Sequence, residues 1–196
     1  MMRVITGTAK GVRLDAPEGE STRPTSERTK EALFSMIQFE VEGRRALDLF
    51  AGSGQLGIEA ISRGAKNAVF VDRSREAVGI IRKNLEKTKF SAVGEIVNGE
   101  ALSFLRHPHG HVFDLAFLDP PYAQKAIPTV LRELLRRKRL LSGALLVCET
   151  GDPADVFGGD ETLAVAFEVR RQVRHGAAYI TLLAWYNEKG GSPDET

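Results

Sequence analysis

From residue 44 onward, short apolar runs alternate with longer segments whose apolar positions recur every three or four residues. This predicts a parallel sheet covered by helices on both faces. Strands are expected at 45–50, 67–71, 94–97, 112–118 and 144–148. Between them, a helix from Gln55 to Arg63 ends at Gly64, and Ser74 caps another whose Ala77, Val78, Ile81 and Leu85 form one stripe. A short helix at 101–105 and a longer one carrying Ile127, Val130, Leu131, Leu134 and Leu135 inward complete the alternation. The pattern then changes. Phe167, Val169 and Val173 face Ile180, Leu182 and Ala184 across His175-Gly176 with no helix between them, which predicts an antiparallel hairpin.

Ahead of this unit, Arg3-Val4-Ile5-Thr6-Gly7 and Gly11-Val12-Arg13-Leu14 read as a small hairpin followed by an extended link. Thr25, with Pro24 before it and Glu27 in the first turn, then caps a helix with Leu33, Phe34 and Ile37 on one face. The expected organisation is an N-terminal hairpin and helix at 1–40, a main α/β domain at 41–187 and a polar tail at 188–196.

Composition narrows the possibilities. At 196 residues, with 42% hydrophobic and 27% charged, the chain can bury one core without a disulfide or metal staple. No apolar stretch approaches the roughly 20 residues that span a bilayer, and the N-terminus lacks the apolar core of a secretory signal; a cytoplasmic protein with no membrane role is expected. Cys148 lies in an apolar run and reads as a buried structural thiol. A net charge of +1 does not suit a protein that coats nucleic acid indiscriminately. Two local basic clusters, 132–139 and Arg170, Arg171 and Arg174, suit either RNA contact or solvated helix and strand faces. His107, His109 and His111 alternate as metal ligands can, but Pro108 and Gly110 favour an exposed loop, and no metal is expected.

The candidate chemistry lies at two turns. Gly52-Ser53-Gly54-Gln55-Leu56-Gly57 follows the first strand, where ligands settle in doubly wound sheets: glycines permit close backbone approach, and the next helix offers its first amides. Asp72, at the end of the second strand, can accept both ribose hydroxyl hydrogens. This spacing satisfies the NAD fingerprint as well as an adenosine methyl donor. Asp48, inside the strand, is costly to bury unless it meets a polar partner. That partner is either the amino group of S-adenosylmethionine or the amides of its own loop. Glu100 and Ala101, after the third strand, are further candidate cofactor contacts.

Asp119-Pro120-Pro121-Tyr122 closes the fourth strand. If the Asp119 carboxylate and Pro120 carbonyl each accept one N–H of an exocyclic amine, the nitrogen lone pair is freed to attack a donor methyl. Pro121 restricts the turn, and the Tyr122 ring can stack on an extruded base. The same tetrapeptide can instead simply end a strand. A methyl donor placed beside a planar amine fits the two turns together, and the sheet with its hairpin points to a seven-stranded methyltransferase sheet.

Four segments carry a family resemblance: Gly7 to Leu14; Arg23-Pro24-Thr25-Ser26-Glu27-Arg28 running into Glu31-Ala32-Leu33-Phe34; Asp48-Leu49-Phe50-Ala51-Gly52-Ser53-Gly54; and Asp119-Pro120-Pro121-Tyr122. With these the chain resembles the RsmD-type family of bacterial ribosomal RNA methyltransferases, which modify a guanine N2 amine in 16S rRNA. The resemblance implies a Rossmann-like class I methyltransferase fold, S-adenosylmethionine as cofactor, and 16S rRNA in the small ribosomal subunit or its assembly intermediate as partner. It places the cofactor at Asp48, Phe50, Ala51, Gly52, Ser53, Gly54, Asp72, Arg73, Glu100 and Ala101, the chemistry at 119–122, and Arg23, Thr25 and Arg28 at the substrate or cofactor entrance. Thr8-Ala9-Lys10 stands where many relatives carry a bulky aromatic. A monomer is expected, since small chains of this type can work alone. The residues also leave open an adenine-N6 methyltransferase, an NAD-dependent oxidoreductase and a noncatalytic RNA-binding module.

Overall fold

The computed structural model describes residues 2–17, 27–108, 110–121 and 125–187. Seven strands form one sheet: β1 (Arg45–Asp48), β2 (Asn67–Asp72), β3 (Gly94–Asn98), β4 (Phe113–Leu118), β5 (Leu140–Thr150), β6 (Glu168–His175) and β7 (Ala178–Trp185). Their order is β3-β2-β1-β4-β5-β7-β6, with β7 antiparallel to both its neighbours and the remaining pairs parallel. The sequence of the turn explains the hairpin: Gly176 takes φ 62, and the return strand enters between β5 and β6.

Helices α1 (Glu27–Met36), α2 (Gln55–Ser62) and α3 (Arg75–Thr88) pack on one face; α4 (Ala101–Arg106), α5 (Ile127–Arg136) and α6 (Glu161–Ala166) pack on the other. Strand alternation divides the core accordingly. Leu115, Phe117, Leu145 and Val147 join the α1–α3 side, while Ala116, Leu118, Leu146 and Cys148 join the α4–α6 side. Cys148 is buried as expected, and burial pushes its thiol pKa up, away from reactivity.

Some boundaries differ from the sequence reading. β5 begins at Leu140, ahead of Gly143, because Gly143 at φ 80 accommodates an irregularity in the β4 pairing without ending the strand. Val169 is 48% exposed although its apolar character suggested an inward face; β6 is an edge strand whose register shifts between Val169 and Arg171. Phe167 is buried, but as the residue ending α6. The pattern reading did not place α6 or the 3-10 helix Pro153–Val156, although Asp160 and Asp152 cap them with side-chain hydrogen bonds.

Residues 2–15 fold against α2. Arg3 and Arg13 form an antiparallel bridge, and the turn between them rests on the helix. Its anchor is Glu59, which is fully buried: Oε2 accepts from the Ile5 amide at 2.8 Å and Oε1 from the Thr6 amide at 2.9 Å. Lys30, itself 1% exposed, sits 3.3 Å from Oε2 and donates to the Arg3 carbonyl, while Arg63 donates to Oε1 at 2.9 Å. Gly7 is required here, since a Cβ would fall 1.7 Å from the Ser62 carbonyl oxygen. Asn84 on α3 fastens the outgoing chain by exchanging hydrogen bonds with the Asp15 backbone and also donates to the Ser53 carbonyl.

Glu59→Ala should therefore cost about 3–5 kcal/mol, because it strands a buried lysine and two backbone donors. Urea denaturation measures this. A loss below about 1 kcal/mol would contradict the anchoring role.

Candidate active site

The glycine turn and the strand-closing Asp119 meet in one cleft of about 280 Å³ along the carboxyl edge of the sheet. Its walls include Asp48, Phe50 to Ser53, Asp72, Arg73, Glu100, Ala101, Asp119 and Pro121, so most of the expected cofactor residues and part of the strand-closing turn share a single space. Gly54 and Pro120 do not line it. Gly54 acts through its backbone: at φ 76 it starts α2 and turns the chain over the strand end. Pro120 lines a smaller recess beyond the turn. Arg28 is exposed on α1 and is not among the cleft residues. Arg23, Thr25, Tyr122 and His109 lie outside the described residues.

Asp48 is the electrostatic centre of the cleft. It is 3% exposed, and its Oδ2 accepts the Gly57 amide at 2.9 Å, so it caps the first turn of α2 from beneath. The loop-amide partner expected as one alternative is thus present. It does not compensate the charge: burial dominates and raises the carboxyl pKa from 3.8 to about 7, with the Gly57 bond opposing and the Asp72 charge adding. Gly57 itself packs so closely that a Cβ would sit 2.3 Å from the Phe70 ring, which fixes the height of α2 over the sheet.

Asp72 holds the opposite wall. Its Oδ2 accepts the Gly52 amide and its Oδ1 the Ser74 amide, both at 2.8 Å. A carboxylate offers about four acceptor sites, so the anchored group can still take ribose hydroxyls. Glu100 and Arg73 are more than half exposed and form a 3.8 Å ion pair at the rim. Met2, Leu49, Gln55, Leu56, Ser74 and Gly99 also line the cleft but were absent from the sequence expectation. Of these, Leu49, Gln55 and Leu56 lie within the motifs that the sequence singled out, though none was named as a contact, and Ser74 caps α3. Met2 arrives through the Glu59-anchored fold of the N-terminal segment, and the Ser53 hydroxyl lies 3.2 Å from its sulfur.

Neither basic cluster lines the cleft. Glu133 binds Arg106, Arg136 and Arg137 at 3.4–3.7 Å near the opposite edge of the sheet. Burial alone would raise its pKa, but those guanidiniums lower it overall. On β6, Arg170 pairs with Glu40, and Arg174 lies over the Tyr179 ring. No group of acidic, histidine or cysteine side chains among the described residues has the makings of a metal site.

A buried carboxylate with so high a pKa fits a ligand that brings an ammonium group, which supplies the missing counter-charge. A dinucleotide phosphate would face two carboxylates instead. Fold and cleft together define the class of Rossmann-like S-adenosylmethionine-dependent methyltransferases. Residues 2–182 match the family model described as "Conserved hypothetical protein 95", and the chain belongs to that family. It is 36% identical to "Ribosomal RNA small subunit methyltransferase D" of Haemophilus influenzae, over 76% of this chain and 78% of that one. The protein of the same name from Escherichia coli strain K12 is 31% identical, over 87% and 83%. The solved yhhF protein of Escherichia coli superposes with a TM-score of 0.82 at 28% identity, covering 95% of this chain and 99% of that one. Between the two readings of the glycine turn, these findings select the methyltransferase.

The Asp48 carboxyl gives a pH signature in the ligand-free protein. Its native pKa stands above the 3.8 of an ordinary carboxyl, so between about pH 4 and about pH 7 the folded state keeps a proton that the unfolded chain has released. Stability therefore falls as pH rises through that window, by on the order of 4 kcal/mol, and Asp48→Asn flattens the fall. Denaturant midpoints at about pH 4, 5.5 and 7.5 for both proteins test this. An equally steep decline in the variant would contradict it.

Proposed function

We propose that this protein transfers a methyl group from S-adenosylmethionine to the exocyclic N2 amine of a guanine in 16S rRNA of the small ribosomal subunit or its assembly intermediate, as a cytoplasmic monomer. The observation that carries this reading is the convergence of Asp48, Asp72, Asp119 and Pro121 on one cleft. The names of the Haemophilus and Escherichia relatives support the ribosomal substrate.

In this reading Asp48 meets the amino group of the cofactor, directly or through water, and Asp72 takes the ribose hydroxyls. Phe50, Ala51, Gly52 and Ser53 form the floor, Gly54 turns the chain beneath it, and Arg73, Glu100 and Ala101 border the adenine end. When bound, S-adenosylmethionine supplies an electrophilic methyl group. The remaining work falls to the strand tip.

An aromatic amine is a weak nucleophile because its lone pair is delocalised into the ring. The Asp119 carboxylate and the Pro120 carbonyl each accept one N–H, which draws the nitrogen toward tetrahedral geometry and directs its lone pair into the cleft. Asp119 then stabilises the positive charge that develops on nitrogen and stands ready for the proton that nitrogen sheds. Pro121 stiffens the turn. Tyr122 offers a stacking ring worth about 1–3 kcal/mol, comparable to the few kcal/mol needed to extrude a base. The family resemblance assigns Arg23, Thr25 and Arg28 to the substrate or cofactor entrance.

Small subunits from cells lacking the protein, incubated with it and labelled S-adenosylmethionine, should yield labelled N2-methylguanosine on nucleoside analysis. Labelled N6-methyladenosine would replace the guanine reading with the adenine one. Asp119→Ala should lower the single-turnover rate by roughly 100-fold or more, with S-adenosylhomocysteine affinity unchanged in calorimetry. Near-normal turnover would refute the role of Asp119.

A further inference from the structure

The basic run at 132–139 has no part in the chemistry described above, yet the fold gives it a shape. The ends of α4 and α5 and the entry to β5 enclose an open hollow of about 560 Å³. Arg106, Arg136, Arg137, Lys138 and Arg139 line it, and no acid among the described residues does. Phe113 donates its amide to the Arg139 carbonyl at 2.8 Å, which fixes the hollow at the start of β4, roughly 20 Å along that strand from Asp119.

The positive charge there is only partly balanced. Arg106, Arg136 and Arg137 share one carboxylate, Glu133, at 3.4–3.7 Å, and Lys138 makes no ion pair among the described residues. Burial, and then the Arg137 charge, push the Arg139 pKa down, so like charge presses on the buried member as well. The carbonyl ends of α4 and α5 face the same place, each equivalent to about half a negative charge, which eases the crowding without neutralising it. A solvated helix end accounts for a cation or two in the last turn of α5. It does not account for cations brought from three elements to one concavity. Lys138 adds a second sign: it takes φ 53 in the turn between α5 and β5, a left-handed position where glycine or asparagine is the ordinary occupant, so backbone preference does not explain a lysine there.

We propose that this hollow is a second RNA contact, which grips backbone phosphates of the substrate rRNA about 20 Å from the base held at the β4 tip. It rests on the ribosomal RNA substrate proposed above. Four of the five cations are arginines, whose planar forks match phosphate oxygens. Phosphates held at a distance add affinity and orient the substrate without entering the chemistry, so the contact acts on KM and not on kcat.

Arg136→Gln/Lys138→Gln removes two charges and leaves Arg106 and Arg137 to hold Glu133. With small subunits as substrate, its KM should rise about 10-fold at physiological salt, and the fall of log kcat/KM with log salt should become shallower by about 1–2. Its kcat, melting temperature and S-adenosylhomocysteine affinity should match the wild type. Filter binding to protein-free 16S rRNA should weaken in the same way. Arg82→Gln/Lys83→Gln, which removes equal charge from exposed positions on α3, should leave KM unchanged. An unchanged KM and salt slope in the first variant, or an equal loss in the α3 variant, would overturn the proposal. So would a loss with small subunits but none with protein-free rRNA, which would assign the hollow to an acidic ribosomal protein. If the wild-type protein neither methylates small subunits nor binds their RNA, the ribosomal reading falls and this inference with it; RNA binding that weakens in the first variant, without methylation by the wild type, keeps the contact and overturns only that reading.

Discussion

The parallel pairing of β1 with β4, which sets Asp48 opposite Phe117, brings the ends of both strands to the same edge of the sheet. A buried carboxylate and a strand-closing Asp-Pro-Pro turn thereby share one cleft, although 71 residues separate Asp48 from Asp119 in the chain. A shift of one residue in that register would exchange the two faces of β4 and turn Asp119 away from the cleft. The core fixes the register. Leu115 and Phe117 fill the α1–α3 side while Ala116 and Leu118 fill the other, and the Phe34 ring lies 5.6 Å from that of Phe117.

The glycine turn is held as firmly as the sheet. Asp48 and Asp72 each bind backbone amides of the turn they help to form, Gly57 for the first and Gly52 for the second, so the residues that would meet a ligand also shape its floor. The arrangement leaves Asp48 dehydrated and short of positive charge, at a cost to the stability of the ligand-free protein above about pH 4. The N-terminal segment belongs to the same construction. Glu59 holds residues 5 and 6, Asn84 ties residue 15 to the Ser53 carbonyl, and Met2 reaches the cleft wall as a result.

Much of this was legible in the sequence because it depends on local signals. Periodicity located the seven strands, and Ser74 and Gly64 marked helix ends, since capping and left-handed turns are decided within a few residues. The glycine turn and Asp119-Pro120-Pro121 announced the cleft in the same way. Long-range geometry was not legible. The β5-β7-β6 order, the exposure of Val169, the arrival of Met2 and the buried Lys30–Glu59 pair all depend on which elements meet in space.

The account turns on an amine held at the β4 tip beside a methyl donor in the glycine cleft. Its most direct test is mass spectrometry of nucleosides and fragments from 16S rRNA of cells with and without the protein. One N2-methylguanosine, at a single position, should vanish with the protein and return with the wild-type chain but not with Asp119→Ala. An unchanged set of 16S methylations, or full restoration by Asp119→Ala, would contradict it.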